Sequence, residues 1–172
     1  FNWIANEMLK MTKGKPKLIL ISLAFFTAIV SAFLDNVTTV ILIMPVTFVI
    51  AKELDINPIP FLITEILASN IGGTATLIGD PPNIIIGSAA GLSFMAFIKE
   101  LTVIVLTILI VNVGMLAFIF RKQLVAAQEK MDKVAKLDNS KTITDKALMI
   151  RSGLVLLLVI IGFMLHDITH IQ

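Results

Sequence analysis

The chain has no cysteine, so neither disulfides nor a thiolate metal site can hold it together. It is also poor in charge: Asp, Glu, Lys and Arg make up 15% of its 172 residues, against ~25% in soluble domains. The net charge of +2 is too small to argue for nucleic acid as a partner. The first residues given do not read as a charged leader followed by a cleavage site. No nucleophile–base pair and no metal triad emerges, which argues against an enzyme and against a resident cofactor. What remains is apolar: 57% of residues are hydrophobic and the mean hydropathy is +0.96. Such a composition belongs to an integral membrane protein. The chain opens on Phe1 and stops at Gln172 just after an apolar run, so it is expected to be a piece of a longer protein.

The few cations are bunched. Lys10, Lys13, Lys15 and Lys17 form one group, a second runs from Arg121 to Arg151, and only Lys52 and Lys99 lie elsewhere. Basic residues flanking apolar segments favour the cytoplasmic face, so both groups are expected there. Between them lie an apolar arm over Leu18–Leu34, a second over Val37–Ala51, a broken segment over Ile59–Ala90 and a clean span over Leu101–Phe120. At ~1.5 Å per residue, ~20 apolar residues match a ~30 Å hydrocarbon core. The arms are short for full crossings, so they read either as two thin spans or as a re-entrant hairpin, and the charge pattern fits both. Residues 121–146 are a mixed-charge connector with Leu124, Ala127, Met131 and Val134 at helical spacing, expected as an interfacial helix. Thr142 and Asp145 resemble a helix start before a last span over Ala147–Leu165. Asn112 in the clean span reads as an interhelical hydrogen-bonding residue. His166, Asp167 and His170 lack the pattern of a metal site.

Two polar interruptions carry the chemistry. Asp35, Asn36, Thr38 and Thr39 place a carboxylate, an amide and two hydroxyls between the arms. Hard monovalent cations prefer such oxygen donors. The second interruption contains Ser69, Asn70, Gly72, Gly73, Thr74 and Thr76, followed by Asp80, Pro81, Pro82 and Asn83. Gly72 and Gly73 let the backbone open and approach a ligand, and neither proline can donate to a continuing helix. A helix broken within the membrane is therefore expected, with its free N–H groups suited to an anion and its free carbonyls to a cation. Glu65, one turn before Ser69 on the same face, is a candidate proton relay. Backbone groups unsatisfied at membrane depth persist only where they line a protected cavity.

The stretches Ser31–Thr39 and Ala68–Asn83 resemble the two signature segments of the ion-transporter superfamily. They are most similar to its branch holding the melanosomal P protein, which is often grouped with arsenite permeases, NhaD-type sodium/proton antiporters and citrate or dicarboxylate transporters. The resemblance covers residues 1–125 and implies an all-α polytopic membrane protein, one half of an inverted-repeat transporter. It implies a first repeat over 1–125, built from a re-entrant hairpin about 18–51, a discontinuous helix about 59–98 and a transmembrane helix at 101–120. The connector at 121–146 and the truncated first helix of a second repeat at 147–172 would follow. On that template Asp35, Asn36 and Thr38 lie at the hairpin tip, and Asn70, Gly72, Gly73, Thr74 and Asp80 line the break, with Na⁺ held near Asn36, Thr38, Asn70 and Gly73. Pro81-Pro82 stands where NhaD-type antiporters carry threonines, and Val37 and Thr38 stand where arsenite permeases carry Gly and Ala; both depart from those relatives.

The expected function is secondary active transport of an anion or small carboxylate, coupled to Na⁺ or H⁺ by alternating access. An NhaD-type antiporter and a passive ion channel are the alternatives. The expected partners are the lipid bilayer, a small anionic solute, the second repeat of the same chain and, as an option, a second copy in a homodimer. The expected location is the inner membrane of a prokaryote.

Overall fold

A computed structural model describes residues 2–135, together with 151, 154, 155, 158, 161 and 162. Every regular element among the described residues is a helix: α1 (Asn2–Thr12), α2 (Pro16–Ser31), α3 (Asn36–Leu54), α4 (Ile59–Gly73), α5 (Pro81–Ala90), α6 (Phe94–Ile119) and α7 (Gln128–Ala135). Two of these, Asn36–Leu54 and Phe94–Ile119, are long and apolar enough to cross a membrane, whereas Pro16–Ser31 and Ile59–Gly73 are shorter apolar helices. The connector beyond 135, the start at Thr142 and Asp145, most of the expected last span and the His166–His170 group lie outside the described residues.

Local chemistry sets most of the boundaries. Pro16 opens α2 at a position where its missing N–H costs nothing. Asp35 caps α3 by accepting from the Thr38 N–H at 2.9 Å. The first arm therefore ends at Ser31, three residues short of the expected Leu34, and the chain turns through Ala32–Leu34 into the cap. Ser93 caps α6 through the Ala96 N–H at 3.2 Å, so this helix starts seven residues before Leu101. Lys99 and Glu100 are exposed within it, and charge on an exposed helical turn does not end a helix. Helix α3 runs through Pro45, which cannot donate to the carbonyl four residues earlier. Helix α1 was not expected at all. Its signal is the pairing of Ala5, Met8 and Leu9 on one buried face.

Helices α2, α3 and α4 form the centre. Ile19, Leu20, Leu23, Ala24 and Ala28 of α2 pack with Ile43, Val46, Ile50 and Leu54 of α3 and with Phe61 and Ala68 of α4. The α2–α4 contact is the most extensive. It is made possible by small residues, since a Cβ on Gly72 would fall on the backbone of Ala28. Helix α6 lays one stripe, Val105, Leu109, Val113 and Leu116–Ala117, against α2 and α4. Its other face, including Val103, Ile104, Val111 and Phe118, is exposed. Helix α7 packs on α1 and α3, where Gly14, at φ 66, turns the α1–α2 connection tightly beneath Met131 and Val134. Helix α5 buries only Asn83 and Gly87.

Candidate functional site at the hairpin tip and helix break

The α2–α3 turn and the α4–α5 break meet, although they are 30 to 45 residues apart in sequence. Three sets of hydrogen bonds join them. The Ser31 hydroxyl lies 2.9 Å from Asn36 Oδ1 and 2.8 Å from the Ser69 carbonyl, two acceptors between which its single proton is shared. Asn36 Nδ2 donates to Asn70 Oδ1 at 3.1 Å, and Asn70 Nδ2 donates to the Ile66 carbonyl at 2.8 Å. The Thr76 hydroxyl donates to the Ala32 carbonyl and accepts from the Gly79 N–H at 3.1 Å. Within the break itself, Asn83 Nδ2 donates to the carbonyls of Gly73 at 3.1 Å and Thr76 at 2.9 Å.

The C-termini of α2 and α4 and the N-termini of α3 and α5 thus converge. A helix end leaves carbonyls without partners and a helix start leaves N–H groups without partners. Here side chains from neighbouring elements answer several of the carbonyls. Glycine makes the approach possible: a Cβ on Gly73 would strike Asn36 Oδ1, and one on Gly79 would lie 2.7 Å from the Ser31 carbonyl oxygen.

The expected site residues fall into two layers. Ser69, Gly72, Gly73, Thr76 and Asn83 are buried and brace the junction, whereas Asp35, Thr38, Asn70, Thr74, Pro81 and Pro82 are exposed. Asn36 and Asp80 are half-buried. Pro81 and Pro82 start α5. Asp80 stands at the cap position of α5 without a side-chain capping bond. Thr74 bonds back to the Asn70 carbonyl at 2.9 Å. Thr39 is buried within α3, and its hydroxyl has no hydrogen-bond partner among the described residues. Of the four residues expected around Na⁺, Asn36, Asn70 and Gly73 come together, while Thr38 is exposed and its N–H bonds Asp35. The amide oxygens of Asn36 and Asn70 each keep a lone pair after their hydrogen bonds, a donor type that suits a hard monovalent cation.

Glu65 is fully buried and is joined to Thr47 of α3, whose hydroxyl donates to Oε1, rather than to any residue of the junction. Its Oε2 has no hydrogen-bond partner among the described residues. Asn112 was expected to bond between helices, yet its Oδ1 has no partner among the described residues. Ser31 and Thr47 are the polar residues that sequence reasoning passed over. Each is a hydroxyl inside an apolar arm, and such a group in hydrocarbon surroundings needs a partner.

The Asp35 cap can be tested independently of transport. Asn caps a helix about as well as Asp, and Ala does not. Asp35→Ala is expected to lower the thermal midpoint of the purified protein, and Asp35→Asn to leave it near that of the parent. Equal midpoints for Asp35→Ala and the parent would remove the capping role.

The citrate transporter family profile matches residues 1–172. A 46 kDa membrane protein of Mycobacterium leprae is 45% identical over 170 residues, which cover 99% of this chain and 40% of that protein. An uncharacterized transporter of Mycobacterium tuberculosis is 45% identical over 172 residues, covering 100% of this chain and 40% of the relative. The human P protein is 37% identical over 125 residues, 70% of this chain and 15% of that protein. The chain therefore spans about 40% of the length of the mycobacterial relatives.

Proposed function

The chain belongs to the citrate transporter family, a family of membrane transporters rather than enzymes, and on that premise we propose that it forms part of a secondary active transporter for a small anionic solute. Transport is coupled to Na⁺ or H⁺ and proceeds by alternating access. The observation that carries this reading is the junction itself: two helix starts and two helix ends meet where Asn36 bonds Asn70. Helix starts favour an anion and helix ends favour a cation, so one junction can serve both solute and coupling ion.

In this reading α2 and α3 form a re-entrant hairpin, α4 and α5 are the halves of a discontinuous helix, and residues 1–125 are one repeat of an inverted pair. The exposed layer of Asp35, Thr38, Asn70 and Thr74 faces the solute and the complementary repeat. The protein sits in the inner membrane of a prokaryote with its basic ends cytoplasmic. Lys17 and Arg121, from opposite ends of the described transporter segment, line one groove at the same end of the molecule, which supports that orientation. Coupling arises because an ion held by the Asn36 and Asn70 amide oxygens stabilises the arrangement that binds the solute.

The full-length protein in proteoliposomes is expected to accumulate citrate in response to a Na⁺ or H⁺ gradient, with a saturable rate. Passive equilibration without accumulation would replace the transporter by a channel. In the H⁺-coupled form of this scheme Glu65 is the proton relay. Glu65→Gln is expected to remove the dependence on a proton gradient; uptake that retains that dependence would exclude Glu65 from coupling.

A further inference from the structure

A groove of about 470 Å³ runs between α2 and α6, on a different face from the polar junction. One wall is Lys17, Ile21 and Phe25, spaced one turn apart along α2; the other includes Gly114, Phe118 and Arg121 of α6 and its end. Helix α2 begins where α6 finishes, so the two cations share one mouth of the groove. The rest of the lining is hydrocarbon, and no acidic side chain lines it among the described residues. The Arg121 guanidinium lies over the Phe118 ring, 4.5 Å from its centroid. That stacking holds the charge close against the groove wall. On the α6 wall, the exposed Gly114 leaves a notch where an added Cβ would meet nothing within 4 Å.

We propose that this groove binds one anionic phospholipid. Its acyl chain lies against Ile21, Phe25 and Gly114, and its phosphate is held between Lys17 and Arg121. The charge pattern selects this occupant. An apolar slot takes a hydrocarbon chain, and a pair of cations at the mouth of a slot at the membrane edge recognises an anionic headgroup. A zwitterionic lipid satisfies the slot but gains less from the mouth. A protein helix laid in the same place would have to bring its own anions to the cations, or leave two charges covered and unpaired.

The test uses the full-length chain, purified from membranes containing phosphatidylglycerol and phosphatidylethanolamine, with retained lipid counted by native mass spectrometry. The parent is expected to be enriched in phosphatidylglycerol. Lys17→Gln with Arg121→Gln is expected to lower that enrichment roughly fivefold per charge removed, whereas Lys17→Arg with Arg121→Lys keeps it. Gly114→Leu fills the notch without touching either cation and is expected to abolish tight retention; it decides the matter alone if the double glutamine variant fails to fold. A photo-crosslinker at position 114 is expected to capture phospholipid. Equal retention of the two lipids by the parent, unchanged enrichment in the glutamine or leucine variants, or capture of a later segment of the same chain would each overturn the proposal.

Discussion

Gly72→Ala is expected to remove most of the folded protein from the membrane. Gly72 is the point at which α4 touches the backbone of α2: a Cβ there would overlap the Ala28 carbonyl group and its Cα. A flexible side chain could swing aside, but backbone cannot. The helices must then separate, and the Ser31–Ser69 and Thr76–Ala32 hydrogen bonds at the junction separate with them. Overpacking costs up to about 3 kcal/mol when neighbours can adjust, and this contact stands at that upper end. A loss of that size is roughly a hundredfold in the folded-to-unfolded ratio, enough to deplete the folded form of a marginally stable protein. Gly114→Ala is the control: its Cβ meets nothing within 4 Å, and alanine favours a helix over glycine. Fluorescence-detected size-exclusion chromatography of the full-length protein is expected to show a monodisperse peak for Gly114→Ala and little or none for Gly72→Ala. Similar peaks for the two variants would mean that α2 and α4 do not approach as closely as described.

The second large effect concerns transport rather than folding. Asn36→Ala is expected to reduce initial uptake about a hundredfold, the scale on which small misplacement of a binding group lowers rate, while the thermal midpoint stays close to the parent. Stability changes little because Ser31 retains the Ser69 carbonyl as an acceptor and Asn70 is exposed to solvent. Uptake falls because the link between hairpin tip and helix break is gone. The pair can be measured as a unit: with Asn70→Ala added, the double variant should be scarcely slower than either single one. Additive losses would show two independent roles, and uptake within twofold of the parent in Asn36→Ala would detach this amide from transport.

Much of the site was legible because its polar residues stand out against apolar surroundings. Asp35, Asn36, Asn70, Thr76 and Asn83 were visible as groups that a membrane segment does not carry without cause. The break after Gly73 and the restart at Pro81 were legible for the same local reason. Less legible was which of these groups brace the junction and which face outward. Ser69 and Asn70 are adjacent in the chain, yet one is buried and the other exposed. Glu65 shares a helical face with Ser69, and that face alone suggested that it would look toward the junction. It bonds Thr47 instead, because α3 runs along the same face of α4 and meets Glu65 about three turns along α3 from the tip.

The residues alone are enough to read an apolar helical membrane protein and the places where its helices are interrupted, but not α1 or the true start of α6. What is legible depends on composition and on signals a few residues long, such as Pro16, the Asp35 cap and Gly72-Gly73. It takes the packed helices to show that Asn36 meets Asn70, that Thr76 closes on Ala32, and that Lys17 and Arg121 share one groove. Those pairings depend on the relative register of packed helices. That register is set by close approach at Gly72, where the distance between two backbones, rather than any local preference, decides which polar groups can reach each other.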